Sequence, residues 1–98
     1  MSECRFAATA DGFALSGELV YATATVAYMQ GLQLLKSRST AAIDVSAVES
    51  LDSAGIAVLL AWRSAARGGH GGSPHIVGLP AQGQALARVG GVLDLLNG

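Results

Sequence analysis

The sequence predicts one α/β domain, in which a small mixed β-sheet carries its helices mainly on one face. The chain has 98 residues, a length that suits a single domain over residues 1–98. Apolar residues alternate with polar ones in some segments and recur every three or four residues in others, which indicates strands and helices in alternation. Hydrophobic residues make up 51% of the chain and charged residues 13%, so the sequence can build an apolar core.

The first half of the chain is predicted to form a hairpin and then an amphipathic helix. An Asp-Gly pair at 11–12 separates two short alternating runs, 5–9 and 13–19, and this arrangement is typical of a tight turn between antiparallel strands. Over residues 21–36 the apolar period changes to three and four residues, which predicts a helix. Its predicted buried stripe consists of Tyr21, Ala24, Tyr28, Leu32 and Leu35.

The second half adds two predicted strands, each followed by a helix. The short apolar run 40–45 predicts the first of these strands. The helix after it is expected to begin at the Asp52-Ser53 pair, either of which could cap it, and to end at Gly68. A glycine-rich loop over 68–74 leads into a short strand at 75–77.

The last predicted helix covers residues 80–90, with Pro80 in its first turn. Residues 92–96 are expected to dock the end of the chain on the domain. The predicted order of elements is therefore β-β-α-β-α-β-α.

The helix that follows Asp52 is predicted to have two different faces. The face that packs on the sheet comprises Gly55, Val58, Leu59, Trp62, Ala65 and Ala66. The opposite face comprises Ser53, Ile56, Leu60, Arg63, Ser64 and Arg67. An apolar centre with arginine at its rim is typical of a protein recognition patch. We therefore predict partner contacts at Ser53, Ile56, Leu60, Arg63 and Arg67; the alternative is that Ile56 and Leu60 pack on a neighbouring helix.

Two roles are open to Ser53 on residue type alone. Its hydroxyl could cap the helix. It could also accept a phosphoryl group, whose charge would suit the positive end of the helix dipole but would disrupt an apolar contact beside it.

Three segments together resemble the STAS domain family. They are Leu-Ser-Gly-Glu-Leu at 15–19, Ile-Asp-Val at 43–45 and Leu-Asp-Ser-Ala-Gly-Ile at 51–56. The likeness covers nearly the whole chain, because the order, spacing and length of the elements also agree. The sequence is most similar to the small STAS subunit of the Mla phospholipid ABC transporter, and it also resembles anti-sigma factor antagonists.

The resemblance to the Mla subunit implies a non-catalytic protein that binds and regulates a cytoplasmic ATPase. That ATPase belongs to a phospholipid-transport complex that maintains the lipid asymmetry of the outer membrane. In that family the hydroxyl residue matching Ser53 lies at the ATPase contact. We accordingly expect no enzymatic activity and no cofactor, and a place in the cytoplasm at the inner face of the inner membrane through the partner.

The resemblance to anti-sigma factor antagonists implies instead a phosphorylation switch. In those proteins a partner kinase docks on the matching helix start and phosphorylates the residue matching Ser53. The antagonists usually carry an Asp directly after Gly-Glu-Leu, and Val20 at that position counts against a switch. A STAS domain that binds a nucleotide or a lipid is a third alternative.

Composition and spacing disfavour several other functions. A net charge of -1 offers no basic surface for nucleic acid. No apolar run approaches the ~20 residues of a membrane span, and Met1 to Phe6 lacks the apolar stretch of a signal peptide. The segment around His70 lacks the lysine and the following helix of a phosphate loop. His70 and His75 have no third ligand type nearby for a metal, and no motif of a hydrolase triad is present.

Trp62 and Cys4 are assigned no function. Trp62 is predicted to lie in the core, with its indole N–H bonded to a carbonyl group or water. Cys4 is the one cysteine of the chain and cannot form an internal disulfide.

Overall fold

The computed structural model describes residues 3–37, 40–66 and 74–97. Its elements are the strands β1 (Cys4–Ala8) and β2 (Gly12–Leu19), helix α1 (Tyr21–Ser37), strand β3 (Ala42–Leu51), helix α2 (Ser53–Ala66), strand β4 (His75–Val77), and the helices α3 (Ala81–Val89) and α4 (Leu93–Asn97). The four strands form one sheet in the order β1-β2-β3-β4. β1 pairs with β2 in antiparallel fashion, and the other two pairs are parallel. The predicted α/β domain with a mixed sheet is confirmed.

The helices α1 and α2 lie side by side on the same face of this sheet. Each connects two neighbouring parallel strands, and such crossovers are right-handed, so successive crossovers in one direction fall on one side. Burial along β2 alternates accordingly: Phe13, Leu15 and Leu19 are buried under the helices, whereas Ser16 and Glu18 are partly exposed. At the end of the chain the fully buried Leu96 fixes α4 to the core, as predicted for residues 92–96.

Trp62 occupies the centre of the core, as predicted. Its side chain is fully buried, and its ring centroid lies 5.9 Å from that of Phe6 and 5.7 Å from that of Phe13. The indole N–H donates a hydrogen bond of 3.1 Å to the backbone carbonyl of Tyr28 in α1. A buried indole needs such a partner, since an unpaired N–H would raise the free energy of the folded state.

The buried stripe of α1 differs from the predicted one. The residues of α1 that are buried are Thr23, Ala27 and Gly31, and Tyr21 is 85% exposed. The cause is the neighbouring helix: the indole of Trp62 fills the space beside α1, and only glycine at position 31 allows the two helices to approach. The predicted inward position of Tyr21 is therefore wrong. The other members of the predicted stripe are partly buried against the core; they are Ala24, Tyr28, Leu32 and Leu35.

Strand β3 is longer than the run 40–45 predicted. The strand extends to Leu51, and its pairing with β2 is interrupted by irregularities after Ala14 and after Gly17. Such bulges shift which residues point inwards, so Val48 and Leu51 are both buried although they are three residues apart. A pattern of strict alternation cannot show this. The predicted loop at 68–74 and the helix stop at Gly68 lie outside the described residues, except for Pro74.

Candidate protein-interaction site

Asp52 lies between the starts of α1 and α2 and accepts hydrogen bonds from both helices. The Gly55 N–H donates to its Oδ1 at 3.1 Å, and the Tyr21 N–H donates to its Oδ2 at 2.9 Å. The cap of α2, which the sequence left open between Asp52 and Ser53, is therefore Asp52. Partial burial alone would raise the pKa of Asp52, but the amides of Tyr21, Gly55 and Ala54 together outweigh it and hold the pKa below the ordinary value.

The start of α1 has no acceptor side chain at the residue before the helix. That residue is Val20, whose N–H donates to the hydroxyl of Thr23 at 3.0 Å. The Thr23 hydroxyl itself lies 2.9 Å from the carbonyl oxygen of Glu18 at the end of β2. The first amide of α1, that of Tyr21, is instead satisfied by the distant Asp52.

Ser53 is the first residue of α2, and its side chain is exposed. Because Asp52 supplies the cap, the Ser53 hydroxyl makes no hydrogen bond to any residue in the described ranges. The hydroxyl is available to another molecule at the positive end of the α2 dipole.

The apolar centre predicted for the recognition patch is not exposed. Ile56 is only 6% exposed and belongs to the core, and Leu60 is partly buried against the core. Helix α2 contacts α3 and α4 as well as α1, so both of its flanks are covered. The expected exposure of Ile56 is therefore wrong. The structure agrees with the alternative, in which Ile56 and Leu60 pack on neighbouring helices.

Of the two arginines predicted at the rim of the patch, the structure describes Arg63, which does not lie beside Ser53. The Nε–H of Arg63 donates to the carbonyl oxygen of Pro74 at 3.0 Å, which directs the side chain towards the entry of β4. Ten residues of helix separate Arg63 from Ser53, a distance of about 15 Å along the axis. Arg67 lies outside the described residues.

An open groove of about 610 Å³ runs between α1 and α2, and one of its lining residues, Ala54, directly follows Ser53 in the chain. Its lining residues are Tyr21, Ala22, Ala24, Thr25, Tyr28, Ala54, Ala57, Val58 and Ala61. None of these residues is charged, and the hydroxyl groups of the lining are those of Tyr21, Thr25 and Tyr28. Beyond the groove, α1 also exposes Val26 to 64% and Met29 to 56%. The combination is typical of a protein-binding surface with aromatic and small apolar contacts.

This groove was not predicted from the sequence. The wall formed by α1 was missed because Tyr21 was predicted to point into the core. The signal that could have indicated the other wall is the recurrence of alanine at 54, 57 and 61, which places small residues on one side of α2 at helical spacing. Only the position of α1 beside α2 converts that stripe into a groove.

The described parts of the chain show neither a metal-binding cluster nor a membrane-spanning helix. Within residues 3–37, 40–66 and 74–97, no three His, Cys, Asp or Glu side chains come together as a metal site requires. In the same ranges, no helix has both the length and the hydropathy needed to cross a bilayer. The half-buried Cys4 is a free thiol, and burial raises its pKa to about 11 although nearby Arg5 acts in the opposite direction.

The comparison with known families agrees with this architecture. The chain matches a family model described as "Mlab, STAS domain" over residues 3–97. A search of curated proteins gave no match. STAS domains are generally non-catalytic modules that interact with partner proteins. The match spans nearly the whole sequence and confirms the predicted resemblance, so the chain belongs to the STAS domain family.

Proposed function

We propose that this STAS domain is a non-catalytic subunit that binds and regulates the cytoplasmic ATPase of an Mla-type phospholipid-transport ABC complex. The description of the matched family, which names Mlab, supports this choice of partner. In this proposal the domain acts in the cytoplasm, at the inner face of the inner membrane through the ATPase, and contributes to the lipid asymmetry of the outer membrane.

The observation that carries the proposal is an uncharged groove lined in part by Ala54, directly after Ser53, whose exposed hydroxyl has no hydrogen-bond partner among the described residues. We define the docking surface as Ser53 together with the groove residues Tyr21, Ala54, Ala57 and Ala61. Tyr21 is the natural anchor, since its ring is 85% exposed and tyrosine is enriched among the residues that dominate binding energies. The alanines allow close approach of a partner backbone.

The docking surface revises the partner contacts predicted from the sequence. Ser53 remains in it, whereas Ile56 is excluded because its side chain is buried. Leu60 and Arg63, nearer the other end of α2, stay predictions, and so does Arg67, which lies outside the described residues.

A charge placed in the groove tests this proposal. In Ala57→Glu, partner binding would bury an unpaired carboxylate, so we expect the affinity for the purified ATPase subunit to fall by about tenfold or more in calorimetry. The matched control is Ala85→Glu, which makes the same change at an exposed alanine of α3. Wild-type affinity in Ala57→Glu would contradict the docking surface, and an absence of binding by the wild-type domain would contradict the proposed partner.

A second candidate function is that of an anti-sigma factor antagonist switched by phosphorylation of Ser53. The free, exposed hydroxyl at the start of α2 favours it, because a phosphate there would benefit from the helix dipole. Val20 counts against this function, because anti-sigma factor antagonists usually carry an Asp at that position. Intact-mass measurement on protein from its native host decides the matter: a phosphorylated species that disappears in Ser53→Ala supports the switch, and its absence under all growth conditions contradicts it.

A further inference from the structure

The two walls of the groove are joined at one end by a single carboxylate. One oxygen of Asp52 accepts the amide of Tyr21, the first residue of α1, and the other accepts the amide of Gly55 in the first turn of α2. The residues bonded this way are 31 and 3 positions from Asp52 in the sequence. The start of α1, with the anchor residue Tyr21, is thus bonded through Asp52 to the first turn of α2, which contains Ser53.

Among the described residues, Asp52 is the side chain that accepts the first amide of α1. Val20 precedes the helix and has no acceptor atom in its side chain. The Thr23 hydroxyl is already engaged with Val20 and with the carbonyl oxygen of Glu18. The position of the first turn of α1 relative to α2 therefore depends on the Asp52 Oδ2 atom.

We propose that Asp52 is a positioning residue for partner binding. It holds Tyr21, at the start of α1, and Ser53, at the start of α2, in one arrangement before the partner arrives. A surface that is ordered in advance loses less conformational entropy on association and binds more tightly. This inference rests on the proposed docking surface, and it assigns to Asp52 an effect on affinity without contact with the partner.

An isosteric substitution separates the two hydrogen bonds. In Asp52→Asn the side chain keeps one acceptor oxygen, which can still cap α2, and its amide group cannot accept the Tyr21 N–H. We expect the affinity for the ATPase subunit to fall about tenfold, as the loss of one charge-assisted hydrogen bond allows. The matched control is Asp44→Asn, because the hydrogen bonds of the Asp44 carboxylate within the described residues come from Ser46 of its own strand.

Two further measurements distinguish positioning from a general loss of stability. In the unbound Asp52→Asn domain, the amide proton of Tyr21 should exchange faster with solvent, while that of Gly55 stays protected. Ile56→Val should lower the stability of the core and leave the affinity within about twofold of wild type, because the link between the helices is intact.

The outcomes are distinct. Wild-type affinity in Asp52→Asn, with the Tyr21 amide bond lost, overturns the positioning role and leaves the docking surface standing. An affinity loss of the same size in Ile56→Val also overturns it, because any loss of stability would then suffice. If the wild-type domain does not bind the ATPase, the proposed function falls together with this role.

Discussion

The indole of Trp62 in α2 lies directly against the backbone of Gly31 in α1. A Cβ atom at position 31 would collide with the ring, and the indole N–H is bonded to the Tyr28 carbonyl one turn earlier in α1. Other sides of the ring meet Phe6 and Phe13. The contact fixes which face of α1 is buried, and it thereby places Tyr21 at the groove.

Gly31→Ala should destabilise the domain. Overpacking a filled core costs up to about 3 kcal/mol, and better helix propensity returns about 1 kcal/mol, so we expect a net loss of up to about 2 kcal/mol. Urea unfolding, followed by the fluorescence of the single tryptophan, measures this loss in the free energy of unfolding. Gly90→Ala is the control, because a Cβ there would meet its nearest atom at an ordinary 3.5 Å. Equal stability of Gly31→Ala and wild type would show that the helices can separate.

Ile56→Ala should act on stability and not as the loss of an exposed contact. Because Ile56 is 6% exposed and belongs to the core, we expect a loss of about 2–4 kcal/mol in the free energy of unfolding. Tyr21→Ala, at a side chain that is 85% exposed, should change this free energy by less than about 0.5 kcal/mol. Thermal or urea unfolding of both variants checks the contrast, and a marginal effect of Ile56→Ala would place that side chain at the surface.

Asp52 should make part of the stability depend on pH. Its folded-state pKa is lowered, so its contribution is present above the unfolded value of about 3.9 and is lost as the pH falls through the folded value. Wild type should therefore exceed Asp52→Asn in stability at pH 6, and the difference should shrink on acidification to about pH 3. Urea unfolding at the two pH values gives the difference directly. An equal difference at both values would mean that the carboxylate charge makes no contribution.

The thiol of Cys4 should react slowly in the folded domain. Burial raises its pKa to about 11 from an ordinary value of 9.0, so at pH 8 the reactive thiolate is about 100-fold less populated than in an exposed cysteine. Alkylation by iodoacetamide, followed by mass spectrometry, should be correspondingly slower in the native domain than in urea. Arg5→Ala should slow it further, because Arg5 lowers the pKa. Comparable rates in native and unfolded protein would contradict the burial of the thiol.

Local features of the sequence were sufficient to predict the fold class. The Asp-Gly pair, the apolar periods and the Asp52-Ser53 pair indicate the strands and helices to within a few residues, except at the end of β3 and at α4, which was expected only as a docking segment. Trp62 could be assigned to the core because it shares a helix face with Val58 and Leu59. The motifs at 15–19, 43–45 and 51–56 were enough to suggest the STAS family. These inferences succeed because they depend on neighbours along the chain.

The candidate site depended on neighbours in space. The helical period of the sequence shows that Ser53 and Ile56 share a side of α2. The packing of α3 and α4 against α2 decides that Ile56 is covered while Ser53 is exposed. Likewise, Tyr21 is turned outwards because Trp62 requires Gly31 on the inner side of α1. The bond between Asp52 and Tyr21 spans 31 positions of sequence. The sequence by itself determined the strands, the helices and the residues that begin them. Tertiary packing decided which helix faces remain exposed, because the burial of a side chain depends on which other elements pack against it.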